Sequence, residues 1–170
     1  MNPRFVALVL VCAVAALLPT SSKVSSTSCN EPVSSADKES LRKVNQRYVA
    51  EWLAGRPDGV MSVFEQDAVI MPHHGGAPRE GEQAIRRFWW PPDSPPFRLN
   101  VFTMTPDEIN GTANLAFIRG KSSLAYSFEN NGAWQDFSNQ GTYLMILRKN
   151  HRGEWHIARF MWDDPVPQAP

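Results

Sequence analysis

The sequence predicts an α+β domain in which helices come first along the chain and an antiparallel sheet follows. Up to about residue 90, apolar residues recur at the three- and four-residue steps of helices. Beyond residue 97, segments rich in aromatic and β-branched residues alternate with turn sequences such as Asn110-Gly. This segregation is typical of a sheet covered on one face by helices. The 170 residues, 42% of them hydrophobic, suit one domain with its own core.

Three helices are predicted in the first half of the chain. The first begins near Ser35, with Ser34 or Ser35 as its cap, and its apolar face carries Leu41, Val44, Tyr48 and Trp52. Residues 55–59, which hold Pro and two Gly, end it. A short second helix is predicted over residues 60–66 with Asp58 as its cap, and a third over residues 82–90.

Five strands are predicted after the first two helices. A brief apolar strand over residues 68–71 is ended by Pro72, and the glycines and prolines of the next segment make residues 73–78 a loop. The other four strands span residues 97–106, 112–128, 142–148 and 155–163.

The N-terminal segment has the layout of a signal peptide. Arg4 precedes an apolar run over residues 5–18, and small residues suited to cleavage follow it. The run of about fourteen residues is shorter than the roughly twenty that a membrane-spanning helix needs, so an uncleaved anchor is the lesser alternative. We therefore predict a signal peptide over residues 1–22, a secreted or periplasmic location, and a mature chain without a membrane span.

The remaining boundaries follow from composition. Residues 23–35 are mostly polar and are predicted to be a disordered spacer, the folded domain spans 36–165, and 166–170 form a tail. Cleavage would remove Cys12 and leave Cys29 without a disulfide partner in the chain, with lipid modification of Cys29 as a minor alternative.

The charge balance bears on the class of partner. Seventeen basic and seventeen acidic residues leave no net charge to attract a polyanion. We therefore expect no nucleic-acid partner and favour a small molecule or another protein chain.

Four segments together indicate a family. Residues 55–72, 81–88, 116–120 and 155–162 resemble the SnoaL-like branch of the nuclear transport factor 2-like superfamily, and the resemblance spans about residues 36–165. It implies a cystatin-like cone: a curved antiparallel sheet with the three N-terminal helices packed on its concave face, around a closed-ended apolar pocket. It also implies a homodimer that packs sheet against sheet. Because this fold carries many unrelated functions, the resemblance implies no single reaction.

Ketosteroid isomerase is the informative comparison within this superfamily. Tyr48 matches the isomerase tyrosine, but Met71 and Met145 stand where the resemblance places the catalytic base and the protonated aspartic acid. A thioether neither accepts a proton at neutral pH nor donates to an oxyanion, so this reaction is disfavoured.

Other acid–base candidates are Tyr48, His73, His156 and Asp163. The alternative for the histidines and the aspartate is that they are simply solvated. Because His73 and His74 are adjacent and no acidic residue lies at ligand spacing from them, we predict no metal site, and we predict no cofactor.

Strand parity and register predict the pocket lining. In the last strand, Phe160, Trp162 and His156 are predicted to face the pocket, while Trp155 and Ile157 face the other side. The full predicted set of ligand-binding residues is Tyr48, Trp52, Met71, Trp89, Tyr126, Tyr143, Met145, Phe160 and Trp162. Such a set suits a small apolar or aromatic molecule, although any one of these residues could equally fill a core.

The functional prediction is an exported SnoaL-like domain that binds a small apolar or aromatic ligand and has no assured catalytic machinery. One alternative is a cofactor-independent isomerase, lyase or cyclase acting on a ketone-like substrate. The other is a homodimeric protein-association module that uses the sheet face.

Overall fold

The computed structural model describes residues 31–165. Its three helices are α1 (Ser35–Leu53), α2 (Pro57–Met61) and α3 (Gly81–Trp89). Its six strands are β1 (Phe64–Met71), β2 (Arg79–Glu80), β3 (Phe97–Gly111), β4 (Leu115–Asn130), β5 (Ala133–Lys149) and β6 (Trp155–Asp163). The predicted signal peptide, most of the predicted spacer and the predicted tail lie outside the described residues.

The strands form one sheet in the order β2-β1-β6-β5-β4-β3. All neighbouring pairs are antiparallel except β1 and β6, which run parallel. The α+β class is confirmed, but the sheet is mixed rather than wholly antiparallel. The chain leaves β1, builds the long β3–β4–β5 meander, and returns beside β1 in the same direction.

The predicted boundaries of the second helix and the start of the first strand are wrong, because tertiary pairing outweighs local pattern. The second helix starts earlier, with Pro57 in its first turn, and ends at Met61. Phe64 pairs with Ile157 of β6, which makes the following residues part of β1 instead of the helix. Asp58 does not cap α2; its carboxylate accepts a hydrogen bond of 2.7 Å from Arg86.

The β4–β5 hairpin is longer than predicted. Its turn holds Asn131 and Gly132, both with positive φ (53° and 81°), as a tight hairpin turn requires. Residues 133–141 are mostly polar apart from Trp134 and Phe137 and carry little strand pattern, yet they pair residue for residue with β4. Cross-strand pairing therefore extends β5 far beyond its apolar segment.

The start of α1 agrees with the prediction. The side chain of Ser34 caps it by accepting a hydrogen bond of 3.1 Å from the Asp37 backbone N–H. Just before the cap, the Val33 N–H donates to the Gly111 carbonyl at 3.1 Å, and Val33 is buried. The last residues assigned to the predicted spacer thus pack beside the β3–β4 turn.

The core lies between α1, α3 and the helix-facing side of the sheet. Its fully buried side chains include Leu41, Ile85, Ile118, Met145, Leu147 and Ile157. One polar residue is buried among them: Asn45 of α1 donates to the Met104 carbonyl and accepts from the Tyr143 hydroxyl, both at 3.0 Å. These bonds satisfy the amide and fix the height of α1 over the sheet.

A β-bulge in β6 changes which side chains face the helices. Ile146 pairs with Arg159 and Leu147 with Ile157, so Ala158 is an extra residue in β6. The bulge places Trp155 and Ile157 on the same side of the sheet as Phe160 and Trp162, and it turns His156 to the outer face. The predicted faces of these β6 residues before the bulge are therefore wrong. The indole N–H of Trp155 confirms this, because it donates to Asp37 of α1 at 3.1 Å.

No helix within residues 31–165 has the length and apolar content that crossing a membrane would require.

Candidate functional site

The interior of the cone is filled by its own aromatic side chains around Tyr48. The Tyr48 ring is 3% exposed and lies 5.5–6.4 Å, between ring centroids, from the rings of Trp52, Phe64, Trp89, Phe102 and Phe160. Burial raises the pKa of Tyr48. Tyr48 is therefore a neutral core residue, enclosed on several sides.

Three more of the predicted lining residues lie in the same core. Tyr143, Met145 and Phe160 are at most 4% exposed. The Tyr143 hydroxyl is already engaged with Asn45, and burial raises its pKa. These side chains shape the interior, and a ligand could reach them only if the core opened.

Partly exposed rings gather at the open end of the cone, and we call them the mouth patch: Trp52, Phe88, Trp89, Trp90 and Trp162. Trp52 and Trp90 stack with centroids 4.9 Å apart, and Trp162 lies 6.3 Å from both Phe88 and Trp89. The patch forms where the C-terminal ends of α1, α3 and β6 meet. The Trp52 indole N–H is buried there without a suitably placed acceptor.

A depression of about 460 Å³ borders the mouth patch through Phe88. Its lining consists of Arg79, Ala84, Arg87 and Phe88. The Arg79 guanidinium carbon lies 5.5 Å from the centre of the Phe88 ring. The depression thus brings two cationic side chains next to the aromatic surface.

A cluster of two histidines and one aspartate lies at the ends of β1 and β6. Because these strands run parallel and Met71 pairs with Met161, the residues that follow them leave the sheet side by side. His73 Nδ1 contacts the Asp164 carboxylate, and His74 Nε2 lies 2.7 Å from the Asp164 backbone oxygen. The imidazoles stack 4.1 Å apart, and the His73 ring is 6.0 Å from Trp162.

The structure corrects three of the predicted site residues. Asp163 is exposed, and the carboxylate beside His73 belongs to Asp164, one position further along. Met71 pairs with Met161 on the outer face of the sheet, so it does not face the interior. His156 is also on the outer face, because of the bulge, and lies 3.9 Å from Glu154.

Tyr126 borders the histidine–aspartate cluster from the β4–β5 hairpin. Its ring stacks on Phe137 at 5.5 Å. Partial burial and the negative charge of Asp164 raise the pKa of Tyr126. Asn139 links the two regions, since its side-chain amide donates to Asp164 Oδ2 at 2.5 Å. A single open end therefore joins the mouth patch, the cluster and this side of the hairpin.

Sequence reasoning missed Asn45, Asn139 and the pairing of both histidines with Asp164. The expectation of no metal site considers only spacing along the chain, and Asp164 lies 91 residues after His73. A signal was present: an Asp-Asp pair lies at the end of one predicted strand, and a His-His pair lies just beyond Pro72, which ends another. This signal predicts a shared site only when β1 and β6 are known to be parallel neighbours.

The outer face of the sheet mixes apolar side chains with ion pairs. Leu144, Ile146 and Met161 lie on this face, and Met161 is 42% exposed. Nearby, Arg148 lies 3.3 Å from Glu65, whose pKa is raised by burial. This face has no second layer within residues 31–165.

Comparisons with known proteins agree with this architecture. A SnoaL-like domain model matches residues 45–155. A ketosteroid isomerase-like protein from Erwinia carotovora atroseptica has a similar structure, with a TM-score of 0.64, 17% identity, and coverage of 76% of this chain and 96% of that one. A conserved protein from Planctomyces limnophilus superposes with a TM-score of 0.63 and 21% identity, over 78% of this chain and 98% of that one.

A third structure is described as a nuclear transport factor 2-like protein of unknown function from Pseudomonas putida. It has a TM-score of 0.61 and 14% identity, and the match covers 80% of this chain and 92% of that one. Identities this low show a shared fold and leave function open. The family match, which spans most of the described residues, identifies the chain as a member of the SnoaL-like domain family.

Proposed function

We propose that this domain binds a small apolar or aromatic molecule on the mouth patch. The observation that carries the proposal is the set of partly exposed, mutually contacting rings at the open end of a cone whose interior is already filled. Aromatic rings offer a large apolar contact area and stack on planar ligands. A ligand would extend the aromatic cluster outward without displacing the core.

One polar feature supports a ligand of this kind. Arg79 and Arg87 line the adjoining open depression beside Phe88. A planar molecule with one anionic group could stack on the rings and pair with one of these guanidinium groups.

Fluorine NMR can test this proposal at each ring. The chain has six tryptophans, and labelling with fluorotryptophan gives each its own resonance, assigned by single Trp→Phe variants. Titration with indole, naphthalene and naphthoate is expected to shift the resonances of Trp52, Trp89, Trp90 and Trp162. A larger effect of naphthoate than of naphthalene would show that the arginines take part.

The same spectra contain two internal controls. Trp155 lies at the opposite end of α1, bound to Asp37, and Trp134 lies on the hairpin with Arg98 3.7 Å above its ring. Neither resonance is expected to shift. Trp162→Phe should weaken binding about tenfold, while Trp134→Phe should leave it unchanged. Absence of shifts with every ligand, or shifts confined to the control residues, would refute the proposal.

The isomerase alternative has less support. Met145 is fully buried under α1, and Met71 lies on the outer face, so neither position offers a proton-transfer group to a ligand at the mouth. Apart from the buried Tyr48, the sequence-predicted acid–base candidates at this end of the cone are His73 and Asp163, and Asp163 is exposed at the end of β6. Binding of a small molecule without a reaction therefore fits the residues at the mouth better than isomerase catalysis does.

We also propose that the chain is exported and acts as a homodimer. Export is supported by Arg4 and the apolar run after it. The intact mass of protein isolated from its source tests it, because a mass that still includes residues 1–22 would contradict cleavage.

Dimerisation is supported by the partly exposed apolar side chains of the outer face, which a second copy would cover.

A further inference from the structure

We propose that His73, His74 and Asp164 form a binding site for a divalent transition-metal ion such as Zn²⁺. One ligand atom from each residue lies within 4.8 Å of the other two. Two imidazole nitrogens and one carboxylate oxygen are a donor set that suits Zn²⁺ and its first-row neighbours, whereas Ca²⁺ and Mg²⁺ prefer oxygen alone. None of the three ligands belongs to the mouth patch, although the His73 ring lies 6.0 Å from Trp162.

The backbone explains how two adjacent histidines face the same carboxylate. Successive side chains of an extended chain point to opposite sides. His74 instead has a φ of 55° and Gly75 a φ of 72°, so the chain turns sharply after Pro72. The turn brings the two imidazoles into a stack on one side of the loop, with their centroids 4.1 Å apart.

The carboxylate of Asp164 is held in a way that suits a metal ligand. Its side chain is 10% exposed, and within residues 31–165 its ion-pair partners are the two histidines. A mostly buried carboxylate needs a compensating charge, which a divalent cation would supply. Asn139 occupies Oδ2 at 2.5 Å and leaves Oδ1 facing the imidazoles. Outer hydrogen bonds of this kind orient metal ligands.

To accept an ion, the side chains must rotate, and His74 Nε2 must give up its hydrogen bond to the Asp164 backbone oxygen. In a tetrahedral site with bonds of about 2.0–2.1 Å, ligand atoms lie about 3.3–3.4 Å apart. His74 Nε2 is 3.9 Å from Asp164 Oδ1, close to that separation. His73 and Asp164 are in direct contact and would move apart to admit the ion. The fourth position would remain for water or another small ligand.

Calorimetric titration of the full chain with ZnCl₂, after removal of metals with EDTA, tests the site. Both cysteines, Cys12 and Cys29, are replaced by serine so that thiols cannot bind the ion. We expect one Zn²⁺ per chain and a higher Tm with the ion bound. Titration with Co²⁺ should give the intense visible absorption of a tetrahedral site, while MgCl₂ should give no heat.

Variants locate the ion. His73→Gln, His74→Gln and Asp164→Asn should each weaken Zn²⁺ binding by at least about tenfold, and Asn139→Ala, which removes the outer hydrogen bond, by about 10–100-fold. The matched controls are His151→Gln and His156→Gln, the two histidines outside the site. Circular dichroism identifies any variant that fails to fold. Such a variant is set aside, and the Zn²⁺ affinities of the folded variants then test the site.

Three results would overturn the proposal. These are no binding of Zn²⁺ or Co²⁺, binding that survives His73→Gln and His74→Gln, and binding that His151→Gln or His156→Gln abolishes. None depends on whether the mouth patch binds an aromatic molecule, so failure here and failure of the proposed function are distinguishable.

Discussion

His73 and Asp164 contact each other although 91 residues separate them in the sequence. The contact exists because β1 and β6 lie side by side in parallel, with Met71 opposite Met161. The whole meander of β3, β4 and β5 lies between them in the chain. The end of this strand pair is therefore where the fold brings together imidazole and carboxylate groups.

Gly141 is expected to be essential for that arrangement. A Cβ at this position would meet the backbone oxygen of Asp163 and lie 3.0 Å from Asp164 Cβ. Gly141→Ala should destabilise the domain by about 1–3 kcal/mol, because the end of β6 must shift. Urea unfolding measures the loss, and Ser138→Ala, at an exposed position of the same strand, is the control with little effect. Equal stability of the two variants would contradict this account.

Asn45 is expected to contribute strongly to stability despite being polar. Asn45→Ala would remove the hydrogen bonds to the Tyr143 hydroxyl and the Met104 carbonyl and leave the buried hydroxyl without this acceptor, at a cost of about 1–3 kcal/mol. Urea unfolding gives the free energy, and Gln46→Ala, on the exposed side of the same helix, should change it by less than about 0.5 kcal/mol. If Asn45→Ala does not change the free energy of unfolding, water has replaced the amide as the hydrogen-bond partner.

Asp37 should make stability depend on pH in the acid range. Burial acts to raise its pKa, but hydrogen bonds from Lys149, Ser34 and Trp155 outweigh it and lower the pKa below the ordinary value of 3.8. A lowered folded-state pKa means stability that is present above the unfolded pKa and lost as the pH falls through the folded value. The free energy of unfolding should therefore fall below about pH 4.

Asp37→Asn is expected to flatten that acid-range dependence and to lower stability near neutral pH. Urea titrations at a series of pH values measure both effects, and Glu39→Gln, an exposed position of the same helix, is the control. If the slope between about pH 2 and pH 4 is the same in wild type and Asp37→Asn, other carboxylates control the acid behaviour.

Met161 should lie in the interface if the chain dimerises through its outer face. Met161→Glu places a charge among Leu144 and Ile146 and is expected to convert a dimer to a monomer, because a buried unpaired charge is strongly unfavourable. Light scattering after gel filtration measures the mass. Leu53→Glu is the control, since Leu53 is 47% exposed but belongs to α1 on the other side of the sheet. A dimer that tolerates Met161→Glu would exclude this face.

Local pattern was sufficient wherever local chemistry decides the structure. Ser34 caps α1, and the helical face with Leu41 and Tyr48 packs on the sheet as predicted. The aromatic and β-branched segments form strands, and the family resemblance is confirmed by the match over residues 45–155. The signal peptide and export remain predictions.

Local pattern failed where the structure depends on pairing between distant segments. Residues 133–141 look like a polar loop and are a strand because β4 offers them a ladder of hydrogen bonds. The faces of His156 and Trp155 were reversed because one extra residue, Ala158, forms a bulge that parity along the sequence does not include.

Residue type and spacing were enough to predict the α+β class, the Ser34 cap, the apolar face of α1 and the aromatic character of the open end, because these features are decided locally. The parallel pairing of β1 and β6, the bulge, and the contact of His73 and His74 with Asp164 become visible only in the folded chain. Strand partners depend on hydrogen bonding and packing over the whole chain, and no local pattern contains that information. A side chain's chemical neighbours follow from the choice of strand partners.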